Sequence, residues 1–463
     1  MALAYELDSV KNIYPLLAKS KYAYLNKDDI RPAINSSIQL STLKAEINLV
    51  EQNISRAIPS ISKGDLQSIL PILPSDTAIV PLSQIRLNHQ LKDSLSIDRL
   101  QARLKSEHAA LVDLYLGNNE LFTVIITENS FKVIKTGTSK DFGKEIWKIR
   151  KNQRYTPTQF ASISNKFYKM MLDSAISILP KSIKRLVICS DGLLQSVPWD
   201  ALVVDTLNTN SFKKLNYLVN HYTIRTVLTP SHLLKEDITG KGFHGLASDF
   251  KNSKKFAQLP FSFSLVKQKA IENKGTVNTQ YKSDSTQFKI IHLATHVVND
   301  SLHPYNSRIY FSDSDSLTIS TLSNSTLRTK MAILNGCQTG RGIHYSSEGT
   351  ISFARTFYTL GAQSVLMTLW DVDDKITADI LSRFYDEIED GNELDESLRQ
   401  AKLDFIQHAP SDELANPYYW AGLQLSGKAD PIVEMNYTKA IIISLIILAS
   451  IFVGFKILRS KSS

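Results

Sequence analysis

A histidine and a cysteine, each closing a short apolar run, are the residues of this chain best suited to chemistry. His296 ends the run Ile290-Ile291-His292-Leu293-Ala294-Thr295-His296, and Cys337 lies in Met331-Ala332-Ile333-Leu334-Asn335-Gly336-Cys337-Gln338-Thr339-Gly340. A strand that stops at a reactive side chain delivers it to the carboxyl edge of an α/β sheet, where such folds place their chemistry. A cysteine beside a histidine becomes a thiolate near neutral pH, and the thiolate is the attacking species. Gly336 and Gly340 permit a tight turn whose backbone N–H groups are left for an oxyanion. The pattern predicts a His296–Cys337 dyad for acyl transfer. The plainer alternative, an inert core thiol and a hydrogen-bonded core histidine, suits either residue alone better than both at strand ends in matching order.

Other chemistries fit less well. His292, His296 and His303 cluster, but no glutamate follows His292 as the zinc-protease helix motif requires, so neither metal nor cofactor is expected. No Gly-x-Ser-x-Gly elbow occurs. The formal charge of +8 is spread over 53 basic and 45 acidic residues without a basic run interleaved with aromatics, which argues against nucleic acid as a partner. Of the two cysteines, Cys189 sits inside the apolar run Leu186-Val187-Ile188-Cys189 and reads as a buried small hydrophobe. So few thiols form no disulfide framework and lean towards a reducing compartment.

The elements that must position the dyad follow from periodicity. At 463 residues with 43% hydrophobic content, the chain is a folded body of two or three domains. Residues 1–105 repeat apolar positions at helical spacing, as in Leu43–Val50 and Ile97–Leu104. Short β-type runs follow at 110–116, 121–126 and 131–134, divided by Gly117-Asn118-Asn119 and Glu128-Asn129-Ser130, which predicts an antiparallel meander. A helix near 159–179 leads to a strand at 185–189. Further strands are expected at 222–228, 288–294, 331–335 and 364–369, and helices at 350–360, 374–388 and 394–406. This alternation predicts an α/β sandwich on a largely parallel sheet. The Ser/Thr-rich stretch 312–325 reads as an exposed loop.

The amino terminus shows no signal peptide, because acidic residues arrive before an apolar core develops. Ala440 to Leu458 supplies about 19 mostly apolar residues flanked by Tyr437, Lys439, Lys456 and Arg459, which predicts a single transmembrane helix over 438–458 and a basic tail over 459–463. The missing export signal favours a cytoplasmic body; the basic residues after the span favour the opposite orientation, with an extracytoplasmic body.

Residues 110–428 resemble the CHAT family of caspase-like cysteine peptidases. The resemblance is carried in order by Ser190-Asp191-Gly192 with Pro198-Trp199-Asp200-Ala201-Leu202, by His292-Leu293-Ala294-Thr295-His296, by Asn335-Gly336-Cys337-Gln338-Thr339-Gly340, and by Glu348-Gly349. Arg355-Thr356-Phe357, Gly361-Ala362-Gln363-Ser364-Val365, Leu369-Trp370-Asp371-Val372-Asp373-Asp374 and Pro417-Tyr418-Tyr419-Trp420-Ala421-Gly422 continue it. It implies a caspase-like three-layer α/β/α sandwich, preceded here by a helical linker region and followed by the membrane helix. It further implies His296 as base, Cys337 as nucleophile, a thioester acyl-enzyme, and the backbone amides of Val297 and Cys337 as oxyanion hole. Two departures stand out: Val297 replaces the family's usual glycine after the base, and Gln338 stands where an acidic residue is common.

The segment 369–374 also resembles the corresponding stretch of separases, which cut after arginine using an acidic pocket. That resemblance makes Asp371 and Asp374 the candidates to receive a basic P1 side chain, and Glu348 is a further substrate-binding candidate; the alternative is that the aspartates cap the helix starting near Lys375. The resulting expectation is a membrane-anchored endopeptidase acting on protein substrates, with a regulatory protein partner. The alternative is a catalytically inactive, membrane-tethered scaffold.

Overall fold

The computed structural model describes residues 3–5, 96–116, 120–138, 142–150, 155–190, 192–206, 209–279, 287–300, 303–323, 327–336, 339–340, 343–345 and 349–433. The first strands are β1 (Leu3–Tyr5), β2 (Ala109–Leu116), β3 (Glu120–Ile126), β4 (Phe131–Gly137), β5 (Arg185–Ser190) and β6 (Thr223–Val227). They are followed by β7 (Phe243–Ala247), β8 (Thr276–Asn278), β9 (Gln287–Ala294), β10 (His296–Val298), β11 (Arg308–Tyr310) and β12 (Ser316–Thr318). The last are β13 (Arg328–Asn335), β14 (Ile343–Tyr345), β15 (Gly349–Ile351), β16 (Ala362–Thr368) and β17 (Leu423–Gly427).

Twelve of these form one sheet in the order β1-β4-β3-β2-β5-β6-β17-β16-β13-β9-β7-β8. The predicted meander is its antiparallel flank, with β3 between β2 and β4. From β2 onward neighbours run parallel, except where β17 enters antiparallel to β16. β10, β11 and β12 form a separate antiparallel sheet, and β14 and β15 pair with each other. The fold is thus mixed α/β on a large, mostly parallel sheet.

Side-chain alternation along β9 and β13 splits the interior into two cores. Ile290, Met331 and Ile333 point to one face, where they meet Val266 of the helix Pro260–Glu272 and Ile380, Leu381 and Phe384 of the helix Asp374–Glu389. Ile291, Leu293, Ala332 and Leu334 point to the other, against Phe353 and Phe357 of the helix Phe353–Leu360 and Ile319 and Leu322 of the helix Ile319–Ser323. Each of the larger of these side chains withdrawn from water contributes about 1.5–3 kcal/mol. A strand covered on both faces reads as a continuous apolar run, which is why β9 and β13 are visible in the sequence.

Polar ties lock the helices Ile97–Ser106 and Leu394–His408 to this sheet. Arg225 of β6 is wholly buried and donates to Asp395, at 2.6 Å, and to Glu107, just after the helix Ile97–Ser106. Asp200 of the Pro-Trp-Asp-Ala-Leu motif pairs with the buried Lys402 of the helix Leu394–His408, and Trp199 beside it is buried, so this motif fastens a loop to the helical layer. Cys189 is buried in β5, as its apolar setting predicted.

Several elements depart from the sequence expectation. Residues 350–351, expected to begin a helix, end β15 instead, and the helix begins at Phe353, where the Ser352 side chain accepts from the Arg355 N–H. The stretch 312–325 is not simply a loop: Ser316–Thr318 is β12, and Ile319 and Leu322 plug the second core. In the large sheet β1, β7, β8 and β17 went unread, β7 being interrupted by Gly245 and β17 alternating with Gln424 and Ser426, and so did the short strands β10, β11, β12, β14 and β15 outside it. Among the described residues no helix is long and apolar enough to cross a membrane, and the stretch expected to do so, 438–458, lies outside them, as does most of the helical region expected over 1–105.

Candidate active site

Parallel pairing of β9 and β13 sets the site. Ala294 is the register partner of Asn335, and the Thr295 N–H donates to the Asn335 carbonyl at 3.2 Å. Both strands stop at this edge. His296 stands two residues beyond Ala294, and Cys337 stands two residues beyond Asn335 in the sequence. Cys337 itself lies outside the described residues, but its predecessor Gly336 does not. A Cβ on Gly336 would approach the Thr295 carbonyl oxygen to 2.7 Å and a Val297 methyl to 3.1 Å. The chain leading to the thiol therefore packs against the residues on either side of His296, and only glycine allows so close an approach.

Two buried hydroxyls pin the backbone at Gly336 and the stretch Thr339–Gly340 to β16. Thr368, the last residue of β16, donates to the Gly336 carbonyl, while its own N–H donates to Thr339 Oγ1 at 3.0 Å. Thr339 Oγ1 in turn donates to the Leu334 carbonyl at 3.0 Å, and the Gly340 N–H reaches the Thr368 carbonyl at 2.9 Å. Both side chains are buried, so these bonds face little competition from water.

The loop after β7 holds His296. The imidazole stacks on Phe256 at 4.9 Å between ring centroids and meets Phe250 edge-on at 4.7 Å. Its Nε2 lies 2.8 Å from the Ala257 carbonyl oxygen. A carbonyl only accepts, so Nε2 carries the proton of this bond and Nδ1 is the nitrogen left to take one up. Phe250 has φ +53°, a left-handed conformation costly for a bulky residue, and the strain is held where its ring edge fixes the histidine. Asp313 clamps the loop by accepting from Ser253 Oγ and from the Lys254 N–H, the latter at 2.9 Å, and Phe256 packs on Tyr310 of β11. Lys255 Nζ stands 4.1 Å from the centre of the Tyr310 ring.

His292 plays a different part. It is fully buried on β9, with Nδ1 2.8 Å from the Tyr385 hydroxyl, and burial holds its pKa at about 3, far below the ordinary value. The strand breaks at Thr295, so His292 and His296 belong to different sheets. Among the described residues no three His, Cys, Asp or Glu side chains gather as a metal-ligand set.

The acidic segment after β16 divides its labour. Asp373 is the N-cap of the helix Asp374–Glu389, its side chain accepting from the Ile376 N–H at 2.9 Å. Asp374 instead accepts from the first turn of the helix Pro260–Glu272: from the Phe261 N–H at 2.9 Å, the Ser262 N–H at 3.1 Å and the Ser262 hydroxyl. The Asp371 residue is exposed, and its backbone carbonyl accepts from the Tyr418 hydroxyl at 3.0 Å. Val297 occupies the middle of β10 opposite Ile309, an extended setting that suits a β-branched residue. Glu348 lies outside the described residues.

Ala257, Phe250, Phe256, Thr368 and Ser262 were not singled out from the sequence. Asn335 and Thr339 lie inside the nucleophile motif, so their proximity was legible, but a backbone carbonyl such as Ala257's has no side-chain signature.

Tetratricopeptide repeat protein 28 of Mus musculus is 29% identical over 126 residues, which cover 27% of this chain and 5% of that protein. The chain therefore spans only a small part of the length of that relative. Among solved structures, the separase–securin complex of Saccharomyces cerevisiae aligns over 90% of this chain and 40% of its own, with a TM-score of 0.45 and 9% identity. The Arg-specific cysteine proteinase gingipain R aligns over 63% and 75%, with a TM-score of 0.36 and 9% identity. Residues 244–428, which hold β7 from its second residue onward, the His296 loop and both strand ends, match the family model described as the CHAT domain.

Proposed function

We propose that this chain is a caspase-like cysteine endopeptidase acting on protein substrates, anchored to a membrane by its carboxyl-terminal apolar stretch. The observation that carries the reading is the register of Ala294 with Asn335, which brings the chain before Cys337 against both neighbours of a histidine whose Nε2 is already engaged. In this reading Nδ1 of His296 takes the Cys337 thiol proton, and the thiolate attacks the scissile carbonyl. A thioester forms, the imidazolium returns its proton to the leaving amine, and water then hydrolyses the thioester. The backbone amides of Val297 and Cys337 are proposed to receive the oxyanion.

Asp371 and Glu348 are the proposed carboxylates for a basic P1 side chain, and Asp374, the third carboxylate expected there, is set apart from them. Three donors already occupy the Asp374 carboxylate, so Asp371 stands first among them. A protein substrate and a regulatory protein partner are the partners this reading calls for, with the body cytoplasmic.

The test is cleavage of a peptide library by the full chain in detergent, compared with Cys337→Ala. Turnover that depends on Cys337 supports the peptidase; equal turnover in both proteins overturns it, and no turnover in either, in a chain that folds, favours a membrane-tethered scaffold. Carbonate washing of membranes tests the anchor, because a spanning helix keeps the full chain in the pellet while a chain ending at Met435 is released.

A further inference from the structure

Ser262 joins two parts of the site through Asp374. The helix Pro260–Glu272 begins three residues after Ala257, whose carbonyl orients His296, and its cap position holds Leu259, which offers no side-chain acceptor. The first N–H groups of a helix need acceptors. Here a residue from another helix supplies them: the Asp374 carboxylate accepts from both Phe261 and Ser262 N–H. The same carboxylate accepts the Ser262 hydroxyl proton, and Ser262 Oγ accepts from Asn335 Nδ2 at 2.8 Å. Asn335 is buried and ends β13, two residues before Cys337. The Leu259 N–H closes the loop onto the Asp249 carbonyl at 2.9 Å. One carboxylate thus ties the end of the nucleophile strand to the start of the helix that terminates the histidine's loop.

We propose that Asp374 is a positioning residue, which sets the His296 loop against the Cys337 strand through Ser262 and Asn335, rather than a carboxylate that receives substrate. The proposal rests on the dyad reading above. Removing the carboxylate leaves the first turn of the helix without its acceptors and Ser262 without its acceptor. The Ala257 carbonyl then loses its fixed height against Nε2, and the imidazole loses its aim.

The test uses iodoacetamide, a small neutral thiol reagent with no P1 side chain. Alkylation of Cys337 in the full chain is followed from pH 5 to 9, with the signal of Cys337→Ala subtracted to remove Cys189. In the wild type, thiolate formation aided by His296 gives an inflection below that of a free thiol at about 8.5, and His296→Ala abolishes it. Asp374→Ala is expected to move the inflection up towards the free-thiol value and to slow alkylation at pH 6.5 about tenfold. Ser262→Ala, which keeps the carboxylate on the helix N–H groups, should move it in the same direction, and it serves if Asp374→Ala does not fold. A wild-type inflection left unchanged in both variants, with loss confined to cleavage of basic-P1 peptides, overturns the inference alone and makes Asp374 a substrate contact. A wild type with no inflection sensitive to His296 overturns the inference together with the dyad.

Discussion

His296 Nε2 and the Ala257 carbonyl oxygen are 2.8 Å apart, so the candidate base is oriented by a main-chain acceptor rather than by a third acidic side chain. A carbonyl holds the tautomer and the ring plane, as a carboxylate does, but brings no charge to stabilise an imidazolium. The two flanking phenylalanine rings complete the fixation.

Loss of either member of the dyad should remove peptidase activity without unfolding the chain. Cys337→Ala and His296→Ala are each expected to lower kcat at least about a thousandfold, and the double variant no further, because the pair acts as a unit. Steady-state cleavage with matched circular dichroism melts measures this.

Gly336→Ala should be far more damaging than its size suggests. Its methyl would sit 2.7 Å from the Thr295 carbonyl oxygen, a backbone atom with little room to yield, and 3.1 Å from a Val297 methyl. A loss of about 1–3 kcal/mol in unfolding free energy is expected, as for overpacking, together with a slower reaction of the thiol. Urea titration and alkylation rate report the two effects.

Thr368→Val keeps the volume and removes the hydroxyl that the Gly336 carbonyl relies on. A buried acceptor left unpaired costs about 1–3 kcal/mol. Thr368→Ser, which keeps the hydroxyl, should retain most of the activity that Thr368→Val loses.

The His292 imidazole predicts an acid limb. Its pKa is near 3 in the fold and near 6.5 in the unfolded chain, so between those values the unfolded state binds the extra proton. Its contribution is fully present above pH 6.5 and is lost as pH falls towards 3, at roughly 1.4 kcal/mol per pH unit. Urea titrations from pH 7 to 4 should show that slope in the wild type and a flatter one in His292→Gln.

Specificity is testable with peptides differing only at P1. Arginine or lysine is expected to be preferred over leucine or methionine, and Asp371→Asn should cut that preference about tenfold, the scale of a lost charge-assisted hydrogen bond. A flat P1 profile in the wild type removes the acidic-pocket assignment.

The residues alone determined the strands that carry the site. β9 and β13 are buried on both faces, and that burial writes itself as the apolar runs before Thr295 and Gly336. Cap signals marked the helix Asp374–Glu389 for the same reason: a cap and its N–H partner are three residues apart in sequence. β7 and β17 escaped because Gly245, Gln424 and Ser426 interrupt their patterns. Only the tertiary structure decided that Ala257 holds His296, that Thr368 holds the Gly336 carbonyl just before Cys337, and that Asp374 caps a helix 112 positions away rather than its own. Those bonds join residues distant in the chain and use backbone groups that every residue possesses. Side-chain type cannot encode them; the parallel register of β9 with β13 and the packing of two helices on one face of the sheet do.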